Sequence, residues 1–299
     1  MLDLNHLPFI SKGEVGLAVL GSPVRHSISP ALHGAALAEL AKEDEQYKNW
    51  HYHKIEVMSG CLSEALVKLA KQGYRGLNLT IPHKVDALSL VSELDETALA
   101  IGAVNTLKLE KSGWKGYNTD GLGLSYAVQE AFGLSFKDFD VLVLGAGGAA
   151  RAAVAQCIFE ECKNIYLLNR TVDRARELVV ALGKKLDTTN VFIIEELERD
   201  FINHGRRPIL LINSTSLGLG LNDPPPIELG RLGPNLFIYD MVYNPPCTRL
   251  LTQAKEMGYP FTNGLGMLVG QAAKSLEIWT GRSVSIEQMI GAAEMALSD

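Results

Sequence analysis

Several short stretches of the 299-residue chain set polar groups among apolar neighbours. Ser27 and Ser29 stand one residue apart in GSPVRHSISPALHG (21–34), and Asn78, Thr80 and Lys84 fall in YRGLNLTIPHK (74–84). Asn105 lies in GAVNT, Asp120 in NTDG, Tyr243 in YDMVYNP and Gln271 in GMLVGQ. Together they offer hydroxyls and amides, one lysine and one aspartate. Hydroxyls and amides can read a small polyhydroxylated molecule by hydrogen bonds, and a lysine with a carboxylate can move one proton. No His, Cys and carboxylate set has metal-ligand spacing, so no metal is expected. Cys157 and Cys162 are five apart, unlike a zinc pair; with Cys61 and Cys247 they read as reduced thiols. Ser29 precedes Pro30, which suits the first helical position, so Ser29 is expected to cap a helix. Ser27 has no such structural duty.

A second chemistry is carried by backbone. Gly145-Ala146-Gly147-Gly148-Ala149-Ala150 fits G-x-G-x-x-G/A between an apolar strand and a small-residue helix. Glycines let the chain approach a pyrophosphate, and the helix N-terminus adds free N–H groups and a positive dipole end. At the end of the next strand, where an NAD site usually has an acid, stands Asn169-Arg170-Thr171, with Arg174 one turn further on. Two guanidinium groups and a hydroxyl suit a 2′-phosphate, which favours NADP over NAD. Asp173 follows that motif and is not read as a ribose ligand.

The elements that must hold these groups alternate. GLAVLG (16–21) reads as a buried strand, followed by a helix over PALHGAALAEL with Leu32, Ala36 and Leu40 on one face. In 74–84, period-two alternation puts Leu77, Leu79 and Ile81 toward a core and Asn78 and Thr80 on the other face, with Pro82 ending the strand. GAVNTLKLEKSGWKGYNTDG predicts a hairpin turning at Lys111–Gly113. From FDVLVLG onward, NIYLLNRT (164–171), NVFIIEE (190–196), PILLINSTS (208–216) and NLFIYDMVY (235–243) are continuous apolar strands, as a parallel sheet covered on both faces requires. DPPPIELG (223–230) reads as an extended loop. Leu268, Ala272, Leu276 and Trp279 share a helical register, and Ser285 with Gln288 forms a capping-box pattern for a last helix. The pattern predicts an α/β unit to about residue 120, a doubly wound nucleotide-type unit over about 121–263, and final helices that return to the first.

Composition sets bounds. Apolar residues are 47%, charged residues 21% and net charge is −6, which fits a globular protein and gives no basic block for nucleic acid. No apolar run approaches the ~18 residues a membrane span needs, and the first residues lack the basic and apolar regions of a secretory leader. A cytoplasmic protein is expected.

The quoted motifs, with GAGGAAR, NRT..RA and GLGMLVGQA, resemble the shikimate dehydrogenase family in its own order, over nearly the whole chain after the first ~15 residues. The resemblance implies NADPH-linked, reversible reduction of 3-dehydroshikimate to shikimate, a step of aromatic amino-acid biosynthesis. It implies a substrate domain of 1–120 plus 264–299, a Rossmann-type NADP-binding domain of 121–263 and a cleft between them. Ser27 and Ser29 match the pair that holds the substrate carboxylate; Thr80, Asn105, Asp120, Tyr243 and Gln271 match further substrate contacts. Lys84 matches the catalytic lysine, which also touches substrate, and Asp120 its partner. Gly145, Ala146, Gly147, Gly148 and Ala149, then Asn169, Arg170, Thr171, Val172, Asp173 and Arg174, match the NADP site. Glu96, Met241 and Gly264 match positions that border the cofactor. Gly34 and His83 depart from the family pattern, and the short N-terminal extension has no clear counterpart. The partner is a small molecule, with no nucleic acid or membrane, and the protein a monomer or homodimer. The alternatives are a quinate/shikimate dehydrogenase, a non-catalytic sensor on the same fold, and another two-domain dehydrogenase acting on folate or glutamyl-tRNA; the serine pair and acidic balance disfavour the last.

Overall fold

The structure is a computed structural model and describes residues 2–3, 6–8, 10–195, 207–220 and 222–298. The chain forms two compact units, Met1–Thr119 with Val269–Asp299, and Asp120–Leu268.

The first unit is built on strands β1 (Leu2–Asp3), β2 (Val15–Gly21), β3 (Trp50–Glu56), β4 (Tyr74–Leu79), β5 (Glu93–Leu94), β6 (Thr106–Glu110) and β7 (Gly113–Tyr117). They lie in the order β1-β3-β2-β4-β6-β7-β5. β1, β3, β2 and β4 run parallel; β4–β6 and β6–β7 are antiparallel, the latter being the predicted hairpin. Helices α1 (Ser29–Glu43), α2 (Leu62–Lys71), α3 (His83–Asp86) and α4 (Glu96–Ile101) connect them. Leu32, Ala36 and Leu40 are all buried on α1, as their spacing predicts.

β4 shows how far a period-two argument reaches. Leu77 and Leu79 are buried and pack with Leu66 and Leu69 of α2. Ile81, expected beside them, is 74% exposed. The strand ends at Leu79 and alternation ends with it. Thr80 still donates its N–H to Leu20 O (2.9 Å), but its own carbonyl accepts from His83 N–H (2.9 Å), so the chain is already turning into α3. Ile81 therefore rides on the turn.

The second unit carries α5 (Asp120–Phe132), β8 (Asp140–Leu144), α6 (Gly148–Phe159), β9 (Ile165–Leu168), α7 (Val172–Gly183), β10 (Val191–Ile194), β11 (Ile209–Asn213), β12 (Leu236–Asp240), α8 (Arg249–Glu256) and β13 (Phe261–Thr262). Its sheet has the order β10-β9-β8-β11-β12-β13, with every pairing parallel. Counted within this unit that is 3-2-1-4-5-6, the doubly wound order in which the chain reverses between the first and fourth strands. β8 and β11 are buried throughout, which is why they read as unbroken apolar runs. Ala150, Ala152, Ala153 and Ala155 bury the α6 face. Glu196, the end of the NVFIIEE segment, lies outside the described residues.

Helix α9 (Leu265–Thr280) is followed by α10 (Ile286–Ser298). In the first unit, Ala272, Leu276 and Trp279 are buried, and the Trp279 indole donates to Leu107 O (2.9 Å). Gln288 N–H meets Ser285 Oγ at 3.4 Å, half of the expected capping box.

Candidate active site

The serines stand at the start of α1, with their structural roles reversed from expectation. The residue before the helix is Ile28, Ser29 is the first helical residue and Pro30 the second, and Ser29 makes no side-chain cap. Ser27 does the local work. Its Oγ accepts the Ser29 N–H (3.3 Å) and donates to Ser29 Oγ (3.0 Å). A proline after Ser29 fits the second helical position as well as the first, and the boundary shifts by one.

Behind the serines lies a connected set of buried polar groups. Tyr52 on β3 donates its hydroxyl to Asn78 Oδ1 (2.7 Å). Burial pushes that phenol far above its ordinary range, and the Ser29 hydroxyl offsets this only in part. Asn78 Nδ2 donates to Asn105 O (3.3 Å), Thr106 Oγ1 (3.1 Å) and Ser275 Oγ (3.0 Å). Asn105 Oδ1 accepts from Thr119 N–H (2.8 Å) and Thr106 Oγ1 (2.9 Å), while its Nδ2 donates to Thr119 Oγ1 (2.9 Å) and reaches Gln271 Oε1 at 3.5 Å. Thr119 Oγ1 and Ser275 Oγ both donate to Gln271 O. Ser27 and Ser29 thus pair with each other at the start of α1, while Asn105 and Gln271 belong to one network, stitched by Tyr52, Asn78, Thr106, Thr119 and Ser275. Of these five, sequence reasoning flagged only Asn78. Ser275 was visible in principle as the residue one turn after Gln271. His33, also unflagged, stacks on Tyr52 (4.1 Å between centroids, 10°). Its burial lowers the imidazole pKa to about 3, against a weak opposing effect of Asn78.

Lys84 is half-buried in α3, and its carbonyl accepts Val104 N–H (2.7 Å), tying it to the GAVNT segment. His83 is fully buried and its Nε2 bonds Val57 O (2.7 Å), which is a packing role. Thr80 is half-buried beside them. Asp120 opens α5 in the second unit, one peptide bond after Thr119.

The glycine turn lies at the reversal point of the second sheet. Gly145 follows β8 with φ of +107°, and a Cβ there would meet Ser214 Oγ at 3.0 Å, so the position demands glycine. Ala146 is half-buried and Gly147, Gly148 and Ala149 are exposed. Added Cβ atoms on Gly147 and Gly148 would meet nothing within 4 Å, so the start of α6 is open to a ligand. After β9, Asn169 Nδ2 donates to Thr171 O (2.7 Å), Val172 begins α7, and Arg170, Thr171, Asp173 and Arg174 are exposed. Among the described residues no ion pair joins Arg170 or Arg174. An open helix N-terminus with two uncommitted guanidinium groups fits a dinucleotide that carries a third phosphate.

Met241 and Gly264 meet in the same unit. A Cβ on Gly264 would lie 2.1 Å from Met241 O, and Gly264 N–H donates to Val242 O (3.2 Å). The segment that carries Met241 and Tyr243 is pinned by Asp240, a buried carboxylate that accepts from Asn213 Nδ2 (2.8 Å), Val242 N–H (3.1 Å) and Thr248 Oγ1 (2.6 Å). Tyr243 is half-buried, and desolvation raises its pKa. Glu96 is exposed at the start of α4, in the other unit.

A doubly wound nucleotide-type unit with an open glycine turn, in one chain with an α/β unit holding a serine pair and a lysine, defines a two-unit dehydrogenase class. Comparison with known proteins gives the family. The model described as the shikimate dehydrogenase substrate binding domain matches residues 19–107. The shikimate/quinate 5-dehydrogenase model matches 127–201, and the shikimate 5′-dehydrogenase C-terminal domain matches 264–294. The shikimate dehydrogenase (NADP(+)) of Methanococcus aeolicus is 36% identical, covering 91% of this chain and 94% of its own. That of Geobacter sulfurreducens is 38% identical, covering 92% and 94%. The solved shikimate 5-dehydrogenase of Thermus thermophilus, in complex with NADP(H) and shikimate, superposes with a TM-score of 0.81 at 32% identity, covering 95% of this chain and 100% of that one. The chain belongs to the shikimate dehydrogenase family.

Proposed function

We propose that the chain catalyses the reversible, NADPH-dependent reduction of 3-dehydroshikimate to shikimate. The observation that carries this reading is the buried network that fixes Asn105 with Gln271, next to Val104 whose N–H bonds the Lys84 carbonyl, in the same unit as the Ser27–Ser29 hydroxyl pair. Relatives named as NADP(+) enzymes, and a neighbour holding NADP(H) and shikimate, support it. In this reading Met1–Thr119 with Val269–Asp299 takes the substrate and Asp120–Leu268 the cofactor.

Ser27 and Ser29 bind the substrate carboxylate, which also gains from the positive end of the 15-residue helix α1. Thr80, Asn105, Tyr243 and Gln271 hold the ring hydroxyls. When bound, NADPH supplies the hydride. Gly145 to Ala149 would hold its pyrophosphate and Arg170, Thr171 and Arg174 its 2′-phosphate, with Asn169, Val172 and Asp173 beside that end and Glu96, Met241 and Gly264 at its border. Lys84 Nζ gives its proton to the carbonyl oxygen as that oxygen takes on negative charge, and recovers it in the reverse direction. Asp120 holds the same hydroxyl and orients the ammonium. Thr119, bonded to Asn105 and Gln271, directly precedes Asp120 in the chain. The protein acts in the cytoplasm on a small molecule, as a monomer or homodimer.

The test is NADP⁺ reduction followed at 340 nm with shikimate, with quinate and NAD⁺ as controls. Turnover with shikimate and NADP⁺ at least ~10-fold above every other combination is expected, since one discriminating phosphate or hydroxyl contact is worth ~1.4 kcal/mol or more. Equal turnover of quinate makes it a dual-substrate enzyme. Shikimate binding with no NADP⁺ reduction makes it a sensor.

A further inference from the structure

The cofactor end of the second unit holds a cation that the function above does not use. Arg176, on α7, reaches Asp173 Oδ1 with Nη1 (3.0 Å) and Glu195 Oε1 with Nη2 (3.4 Å). Asp173 lies between Arg170 and Arg174 in sequence, in the first turn of the same helix, and Glu195 directly follows β10, which pairs with β9. Carboxylate and phosphate offer a guanidinium the same paired oxygens. Asp173, one residue before Arg174 and three after Arg170, is therefore a rival for them as well as a charge that repels a phosphate. Yet among the described residues neither arginine forms an ion pair, while Arg176 takes both acids.

We propose that Arg176 is a specificity-determining residue for the cofactor: by occupying Asp173 and Glu195 it keeps both carboxylates away from Arg170 and Arg174, leaving those two for a 2′-phosphate. The inference rests on the reading of Arg170 and Arg174 as the 2′-phosphate site. It also explains how an acid can sit in this loop without making the site an NAD site: the Asp173 carboxylate is engaged on the helix side. The three side chains are exposed by 58%, 79% and 67%, so the effect is modest and sensitive to salt.

The experiment is calorimetric binding of NADP⁺ and NAD⁺ to the full chain and to Arg176→Gln. At about 0.02 M salt the variant should bind NADP⁺ about 3-fold more weakly and NAD⁺ equally well; at about 0.5 M salt the difference should vanish. Adding Asp173→Asn and Glu195→Gln to Arg176→Gln should restore NADP⁺ affinity, because nothing is left to shield. A plain i,i+3 helix pair would instead lower Tm slightly and leave the NADP⁺ to NAD⁺ ratio alone. An unchanged ratio, equal weakening of both nucleotides, or failure of the triple variant to recover overturns the proposal. Arg174→Ala is the separate control on the premise. If it leaves NADP⁺ affinity intact, the 2′-phosphate reading falls, and this proposal with it; if it weakens NADP⁺ and Arg176→Gln does not, only the proposal falls.

Discussion

The two units assemble their proposed binding groups in opposite ways. In the first, the polar side chains are buried and satisfy one another: Asn105 is 2% exposed and Asn78 6%. Each hydroxyl's direction is set by its neighbour. In the second, the groups at the glycine turn are backbone at an open helix start and arginines standing in water. A buried polar group left without its partner costs far more than an exposed one. On the proposed function, the first unit therefore couples recognition to stability, while the second keeps them apart. A rigid carboxylic acid with several hydroxyls calls for fixed donors. A dinucleotide phosphate calls for charge and N–H groups, which survive exposure.

The largest test of that contrast is Lys84→Ala. Lys84 is half-buried, so its loss should change Tm little and leave NADP⁺ affinity in place. Turnover should fall by ~10²–10⁴, the usual worth of general acid–base help. Steady-state rates near wild type would remove Lys84 from the proton transfer.

Next comes a paired comparison across the units. Asn105→Ala strands the Thr119 N–H in the core and takes one of several partners from the Thr106 hydroxyl. It should cost about 2–3 kcal/mol in denaturant unfolding and weaken shikimate binding together. Arg170→Ala, on the open side of the second unit, should change stability by under about 0.5 kcal/mol while weakening NADP⁺. If both variants lose the same stability, the two units are not built differently.

Acid should also find the first unit. His33 titrates near 3 when buried against an ordinary 6.5. Its folded pKa is depressed, so the stability it contributes is full above 6.5 and drains away as pH falls toward 3. The unfolded chain takes up a proton that the native one refuses. Between pH 7 and pH 5 this amounts to about 2 kcal/mol. Burial lowers His53 as well, with the same sign. His33→Phe keeps a ring against Tyr52 and removes the titration, so its stability should vary less over that range in chemical melts at each pH. An unchanged slope would mean that His33 is solvated in solution.

What was legible in the sequence follows the same divide. The glycine turn, the apolar runs that form β8, β9, β10, β11 and β12, and the hairpin are written as local patterns, and local geometry decides them. The network was legible only at its ends. Tyr52 and Asn78 are 26 residues apart, and Asn78 and Ser275 are 197 apart; no spacing rule links them. Ile81 misled because alternation was carried two residues past the end of β4. The short strands β1, β5 and β13 carry too few residues for a period to show. The approach of Gly264 to Met241 O is a matter of tertiary packing, so the sequence shows a glycine but not what it yields to.

The smallest effect concerns the serine pair, where the structure reversed the expected division of labour. If Ser29 capped α1, Ser29→Ala would cost stability and Ser27→Ala would not. With Ser27 Oγ on the Ser29 N–H, and Ser29 itself the first helical residue, the cost moves to Ser27. Ser27→Ala should lose up to about 1 kcal/mol in Tm-based stability and raise KM for shikimate. Ser29→Ala should raise KM at least as much, with less change in melting, because alanine is at home in a first helical turn. Ser29 is the more buried of the two, 8% exposed, so the loss of its hydroxyl should be felt in substrate affinity first. Finding the stability cost at Ser29 instead would return the cap to that residue and place the pair's fixed point at the helix rather than one turn of chain before it.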